Sequence, residues 1–127
     1  MFRALITEST GDKTFQTILA DRDIADLPPG DLLIEVAYSS LNFKDALSAN
    51  GNPGVTRTFP HTPGIDAVGT VKASDSADFA EGDLVIVTGY DLGMETDGGL
   101  AQYIRVPSGW ALKLPAGLSA RVSMVLG

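Results

Sequence analysis

The chain has 127 residues, enough for one domain with a core of its own, and its 44% hydrophobic and 20% charged composition is that of a soluble globular domain. A formal charge of −7, with nine scattered basic residues, excludes a nucleic-acid surface built on phosphate neutralisation. The absence of cysteine excludes a disulfide framework and a thiolate metal site, and no run reaches transmembrane length. Met1–Ile6 is too short and too soon polar for a signal peptide, so a cytoplasmic protein without membrane or nucleic-acid partners is expected.

Phe2–Thr7 alternates weakly and is expected as a first strand. The turn signal Gly11-Asp12-Lys13 leads to a second over Thr14–Leu19, which predicts a hairpin. Ile24–Leu27 carries little signal. Behind the loop Pro28-Pro29-Gly30-Asp31, Leu32–Ser40 is the strongest strand of the sequence, apolar enough for burial on much of both faces. A short helix is expected over Asn42–Ala49, with Asn42 as N-cap, Asp45 in a capping-box-like position and Gly51 as its stop. Asn50–Thr58 is a polar loop of the kind that borders sites.

Next comes Phe59-Pro60-His61-Thr62-Pro63-Gly64-Ile65-Asp66-Ala67-Val68-Gly69-Thr70-Val71. Two prolines pin the loop, two glycines bracket an apolar run, and the run holds one carboxylate that is costly to bury without a partner. Two readings follow: a solvated turn before an edge strand, or a polar group hung over a cleft. Ser74–Asp78 is a further loop, Glu81-Gly82-Asp83 a turn, and Leu84–Thr88 a buried strand. Gly89–Asp97 is a loop with Tyr90 and Met94 as its apolar members. Gly98-Gly99 opens a strand over Leu100–Val106, and Pro107-Ser108-Gly109 turns into another over Trp110–Leu114. Ser119 is expected to cap a last helix, Ala120–Leu126, that stops at Gly127. Many short strands, 14 glycines and seven prolines predict a mainly β fold with short helices, a barrel or sandwich.

Taken with Ser40-Leu41-Asn42-Phe43-Lys44-Asp45, Phe79-Ala80-Glu81-Gly82-Asp83-Leu84-Val85, Gly98-Gly99-Leu100-Ala101-Gln102-Tyr103 and Leu114-Pro115, the central stretch resembles the medium-chain dehydrogenase/reductase superfamily. The forms Ser-Leu-Asn-Phe-Lys-Asp-Ala and Pro-Gly-Ile-Asp look most like the zinc-independent YhdH/AcuI-type quinone oxidoreductases, which include acrylyl-CoA reductases. The resemblance implies that residues 1–127 form the front, GroES-like domain, a partly open β-barrel. No Gly-x-Gly-x-x-Gly follows a strand here, so it also implies that the dinucleotide-binding domain lies beyond a junction near Gly127. Zinc-dependent relatives carry Cys near Asn42 and His-Glu where Ile65-Asp66 stands. With no Cys and His61 as the single His, no catalytic zinc set is expected, and His61 is read as a solvated loop residue.

By resemblance, Asn42, Asp45 and Asp66 are the candidate catalytic residues, Phe43 and Lys44 the cofactor-binding ones, and Tyr90 and Met94 the substrate pocket. Each has a plainer reading. Asn42 is a good N-cap on its own. Phe43 matches a position that is Tyr in relatives and serves equally as core packing. Lys44 either meets a phosphate or thioester or stays solvated. Asp45 either caps the helix or orients a site group. Asp66 either holds the Asn42–Asp45 segment or forms a structural ion pair, while Tyr90 and Met94 also suit plain packing and Trp110 suits the core.

The implied activity of the full-length protein is NADPH-dependent reduction of an activated C=C bond or a quinone, on a small-molecule substrate, by a homodimer. The fragment alone is then expected to be inactive, to self-associate and to lack measurable NADPH affinity. The other reading is a stand-alone GroES-like barrel serving as a binding or assembly module.

Overall fold

The computed structural model describes residues 1–11, 14–40, 43–50, 56, 59–88, 90–115 and 119. Strands β1 (Phe2–Gly11) and β2 (Thr14–Arg22) form the expected hairpin, in register from Phe2–Arg22 to Ser9–Phe15. Both run further than their apolar alternation suggests, because each supplies the other's backbone partners beyond the last apolar residue. β3 (Leu32–Ser39), β4 (Asp66–Ser74), β5 (Leu84–Thr88), β6 (Tyr103–Val106) and β7 (Ala111–Lys113) build an antiparallel sheet in the order β6-β3-β4-β5-β7. One short helix, α1 (Phe43–Ala49), follows β3. The weak stretch after β2 is a 3-10 turn, Ile24–Asp26, started by Asp23, whose carboxylate accepts from the Ala25 amide at 3.2 Å.

The expected strand over Leu100–Val106 is divided in two by its partners. Tyr103–Val106 pairs with β3, whereas Leu100–Gln102 bridges the two sheets. There the Leu5 amide donates to the Leu100 carbonyl at 2.9 Å, the Gln102 amide to Arg3 at 2.9 Å, and the Val36 amide to Gln102 at 2.8 Å. Thr7 and His61 exchange a second pair of backbone bonds between hairpin and loop. Trp110 ends a 3-10 turn, and β7 begins only at Ala111.

Burial of β3 differs from expectation. Leu32 and Ile34 are inside with Val36 packed against the core, but Glu35 and Ala37 on the other face, and Tyr38 beyond a register shift, are exposed. The strand buried on both faces is β4, where Asp66–Gly69 and Val71 are all inside. It lies in the middle of the sheet and is paired on both sides. Gly69 is required there: a Cβ would sit 2.1 Å from the Glu35 carbonyl oxygen. The main core joins Leu32, Ile34, Val71, Val85, Val87 and Ile104 from four strands with Leu92 from a loop. Phe2, Ala4 and Leu27 form a smaller cluster under the hairpin. Asn42, Gly51, the Asp12-Lys13 turn and the helix expected over 120–126 lie outside the described residues.

Candidate functional site

The chain leaves β3 at Ser39, passes Ser40 and enters α1, and β4 begins beside it. Register places Ser39 opposite Ala67 and Asp66 opposite Thr88, so Ser40, Asp66 and Thr88 share one end of the sheet. The Ser40 hydroxyl donates to Asp66 Oδ2 at 2.9 Å. Twenty residues apart in sequence, the Ile65 amide donates to Asp45 Oδ1 at 3.0 Å. Both carboxylates are 4% exposed. Two charge-assisted bonds therefore fasten the segment 40–45 to Ile65-Asp66, each stronger than a neutral one. Asp45 reaches across to the loop as well as standing in the first turn of α1. Asp66 reaches Ser40, at the start of the neighbouring segment, in line with the first of its two readings. Ser40 and the Ile65 amide were not among the sequence candidates, and the adjacency of Ser40 to Asn42 was the only signal for them.

The loop before Asp66 is built from backbone. Gly98, Gly99 and Leu100 amides donate to Thr62, Gly64 and Pro63 carbonyls at 2.7, 2.9 and 3.1 Å. Gly64 has φ 118°, a region closed to other residues. The Thr62 amide donates to Asp97 Oδ1 at 3.1 Å, and Arg22 Nη1 donates to Asp97 Oδ2 at 2.7 Å. The hairpin thus grips the loop through a carboxylate that no local pattern marks. Between α1 and the segment at Met94, the Ser48 hydroxyl donates to Thr56 at 2.6 Å, and Thr56 donates to the Met94 carbonyl at 2.6 Å. A largely apolar cavity of about 280 Å³ lies beside α1, lined by Leu5, Thr17, Asp45, Ala46, Ala49, Pro63 and Leu100.

His61 is not solvated. It is 2% exposed, its Nε2 lies 2.9 Å from the Gly93 carbonyl, and its Nδ1 lies 3.8 Å from Asp97. Flanking prolines suggested a surface loop, but the backbone bonds to Thr7 draw it inward. Burial pushes its imidazole below the ordinary value of 6.5, against the opposing pull of the Gly93 carbonyl, Asp97 and Glu95. The unfolded chain then takes up this proton at higher pH than the folded one, so stability is complete above about 6.5 and falls as pH drops below it. Urea midpoints at pH 7.5 and 5.5 should differ more for wild type than for His61→Gln, which can still donate to Gly93. Equal differences would remove His61 as the cause.

Tyr90 is 65% exposed and stacks on Trp110, with centroids 5.7 Å apart and planes 5° from parallel. Trp110 is half-buried and packs against the main core. The Met94 backbone faces Thr56, and the residue is half-buried. Asn42 and the side chains of Phe43 and Lys44 lie outside the described residues. Among those residues, no three His, Asp or Glu side chains are grouped to hold a metal ion, and no helix is long and apolar enough to cross a membrane.

A mainly β domain of this topology, with a polar cluster at one sheet end, is of the GroES-like class. The chain belongs to the family of alcohol dehydrogenase GroES-like domains, matched over residues 28–116. YhfP of Bacillus subtilis, provisionally named a quinone oxidoreductase, is 43% identical over 130 residues, covering 100% of this chain and 38% of that protein. Its crystal structure with NAD bound has a TM-score of 0.92. The acrylyl-CoA reductase AcuI of Ruegeria pomeroyi is 37% identical, covering 100% of this chain and 39% of its own length. The yhdH oxidoreductase of Salmonella enterica, crystallised with NADP, is 42% identical with a TM-score of 0.94, over 98% of this chain and 38% of that one. The resemblance to YhdH/AcuI-type oxidoreductases therefore holds, and the chain spans under two-fifths of these relatives' length.

Proposed function

We propose that this chain forms the catalytic-side domain of a nicotinamide-dependent reductase, acting on an activated C=C bond such as an enoyl thioester or on a quinone. The observation that supports this most is the double fastening of residues 40–45 to Ile65-Asp66 by two buried carboxylates. Bonds that hold Ser40 and Asp45 in this way suit positioning, which supplies much of the rate in cofactor enzymes. NADPH is the proposed cofactor, and when bound it supplies the hydride.

The residues present fit the nicotinamide end of that cofactor and not its pyrophosphate. The sequence has no glycine-rich turn for phosphates, whereas the segment held by Asp45 and Asp66 carries Asn42, whose amide can donate and accept. Asn42 would orient the nicotinamide carboxamide, with Phe43 and Lys44 bordering it. Asp45 fixes the Ile65 amide, Asp66 fixes Ser40, and so neither end of the Asn42 segment drifts. A cytoplasmic homodimer is the proposed state.

The test is Asn42→Asp in the protein as its gene encodes it, following NADPH oxidation with acryloyl-CoA and with a quinone. Asp caps a helix as well as Asn does, so stability should stay within about 0.5 kcal/mol. Turnover should fall by about a hundredfold or more, since misplacing a positioned group costs on that order and the carboxylate lacks the amide donors. Unchanged turnover in a stable variant would leave Asn42 as a cap alone.

A further inference from the structure

The loop that carries Met94 is fastened from two sides. On one side Gly93 and Gly98 pack so closely on Gly64 that a Cβ on either would strike the Gly64 carbonyl oxygen. The Gly98 amide donates to Thr62 at 2.7 Å and the Gly99 amide to Gly64 at 2.9 Å, directly before Ile65-Asp66. On the other side two hydroxyls bridge the loop to α1. Thr56 has one hydroxyl proton, and the Met94 carbonyl 2.6 Å away can only accept it. Ser48 therefore donates to Thr56, at 2.6 Å. Ser48 and Thr56 are 0% and 1% exposed, so water does not stand in for either bond.

Ser48 lies three residues after Asp45 on α1, a spacing that makes the two neighbours on one side of a helix. From that side Asp45 holds the Ile65 amide, and Ser48 holds the Met94 carbonyl through Thr56. One helix thus sets the place of both loops. What is fixed at Met94 is its backbone, whereas its unbranched side chain still adapts to irregular shapes.

We propose that Ser48 and Thr56 are positioning residues that hold Met94 at a set distance from α1, and that they govern the affinity for the substrate and not for the nicotinamide cofactor. This rests on the reductase reading, in which Met94 borders the substrate. The experiment compares Thr56→Val, close to the same shape without the hydroxyl, with Thr56→Ser, which keeps it, in the protein as its gene encodes it. Initial rates of NADPH oxidation are measured with 2-methyl-1,4-naphthoquinone and with acryloyl-CoA, and amide exchange is followed in the same samples.

Thr56→Val should raise KM for the acceptor about tenfold, the worth of about one buried hydrogen bond. KM for NADPH should stay within about twofold of wild type. Thr56→Ser should restore the acceptor KM, and the Gly93 and Met94 amides should exchange faster in Thr56→Val alone. A hydroxyl with a structural role only would lower the folded fraction, and with it the apparent kcat, and leave KM unmoved. That pattern, or a Thr56→Ser enzyme as impaired as Thr56→Val, would overturn the proposal. If Thr56→Val fails to fold, the comparison passes to Ser48→Ala, which keeps the Thr56–Met94 bond and removes its support. Failure of the reductase reading would look different: no acceptor supports NADPH oxidation, while exchange at Met94 still separates Thr56→Val from Thr56→Ser, which keeps the bridge and removes its role at a substrate.

Discussion

Gly64→Ala is expected to cost about 3–4 kcal/mol. Two independent terms add. A side chain at φ 118° is in a region that only glycine occupies comfortably, a cost of about 1–3 kcal/mol. The new Cβ would also lie 2.6 Å from the Leu100 amide nitrogen and 2.7 Å from that of Gly99. Both are backbone atoms that cannot rotate aside, and both donate into this loop, so any retreat breaks the bonds to Pro63 and Gly64. Ile65 and Asp66 follow directly, so their bonds to Asp45 and Ser40 would loosen with the loop. Urea unfolding should show the midpoint falling sharply, while Gly109→Ala, where no atom lies within 4 Å of the new Cβ, should stay near wild type. Equal midpoints for the two variants would refute the account of Gly64.

Asp97→Ala should cost about 2–4 kcal/mol. Arg22 and Asp97 are 17% and 15% exposed, so most of the water that would screen the pair is excluded. Removing the carboxylate strands the Arg22 cation and leaves the buried Thr62 amide without its acceptor. Lys72–Glu35 is the contrast. Its groups are 3.8 Å apart and 44% and 48% exposed, so Lys72→Ala should change stability by under about 0.5 kcal/mol. Amide exchange separates the local effect from the global one. Thr62 and Gly98 should lose protection in Asp97→Ala before the sheet core does, and uniform loss would mean that the pair braces the whole fold.

The strands were legible where short apolar runs stand between turn signals, as in Leu84–Thr88, although only Val85 and Val87 of that run are buried, and the hairpin where a turn signal separates two runs. The helix after Ser40 followed from its capping pattern, and the family followed from motifs in a fixed order. Burial was misjudged for Leu32–Ser39, because an apolar run does not say which of its faces will be covered. It was misjudged for His61 too, since flanking prolines describe the local chain and not what packs on it.

By itself, then, the sequence determined where the strands lie though not their ends, the family and the segments that carry Asp45 and Asp66. Those depend on local propensity and residue order. Only the tertiary structure decided that Asp45 holds the Ile65 amide, that Arg22 reaches Asp97 across 75 residues and that Tyr90 lies on Trp110. Such pairs form because β-sheet register brings distant strand ends together, and a carboxylate's partner is chosen by that register and not by its sequence neighbours.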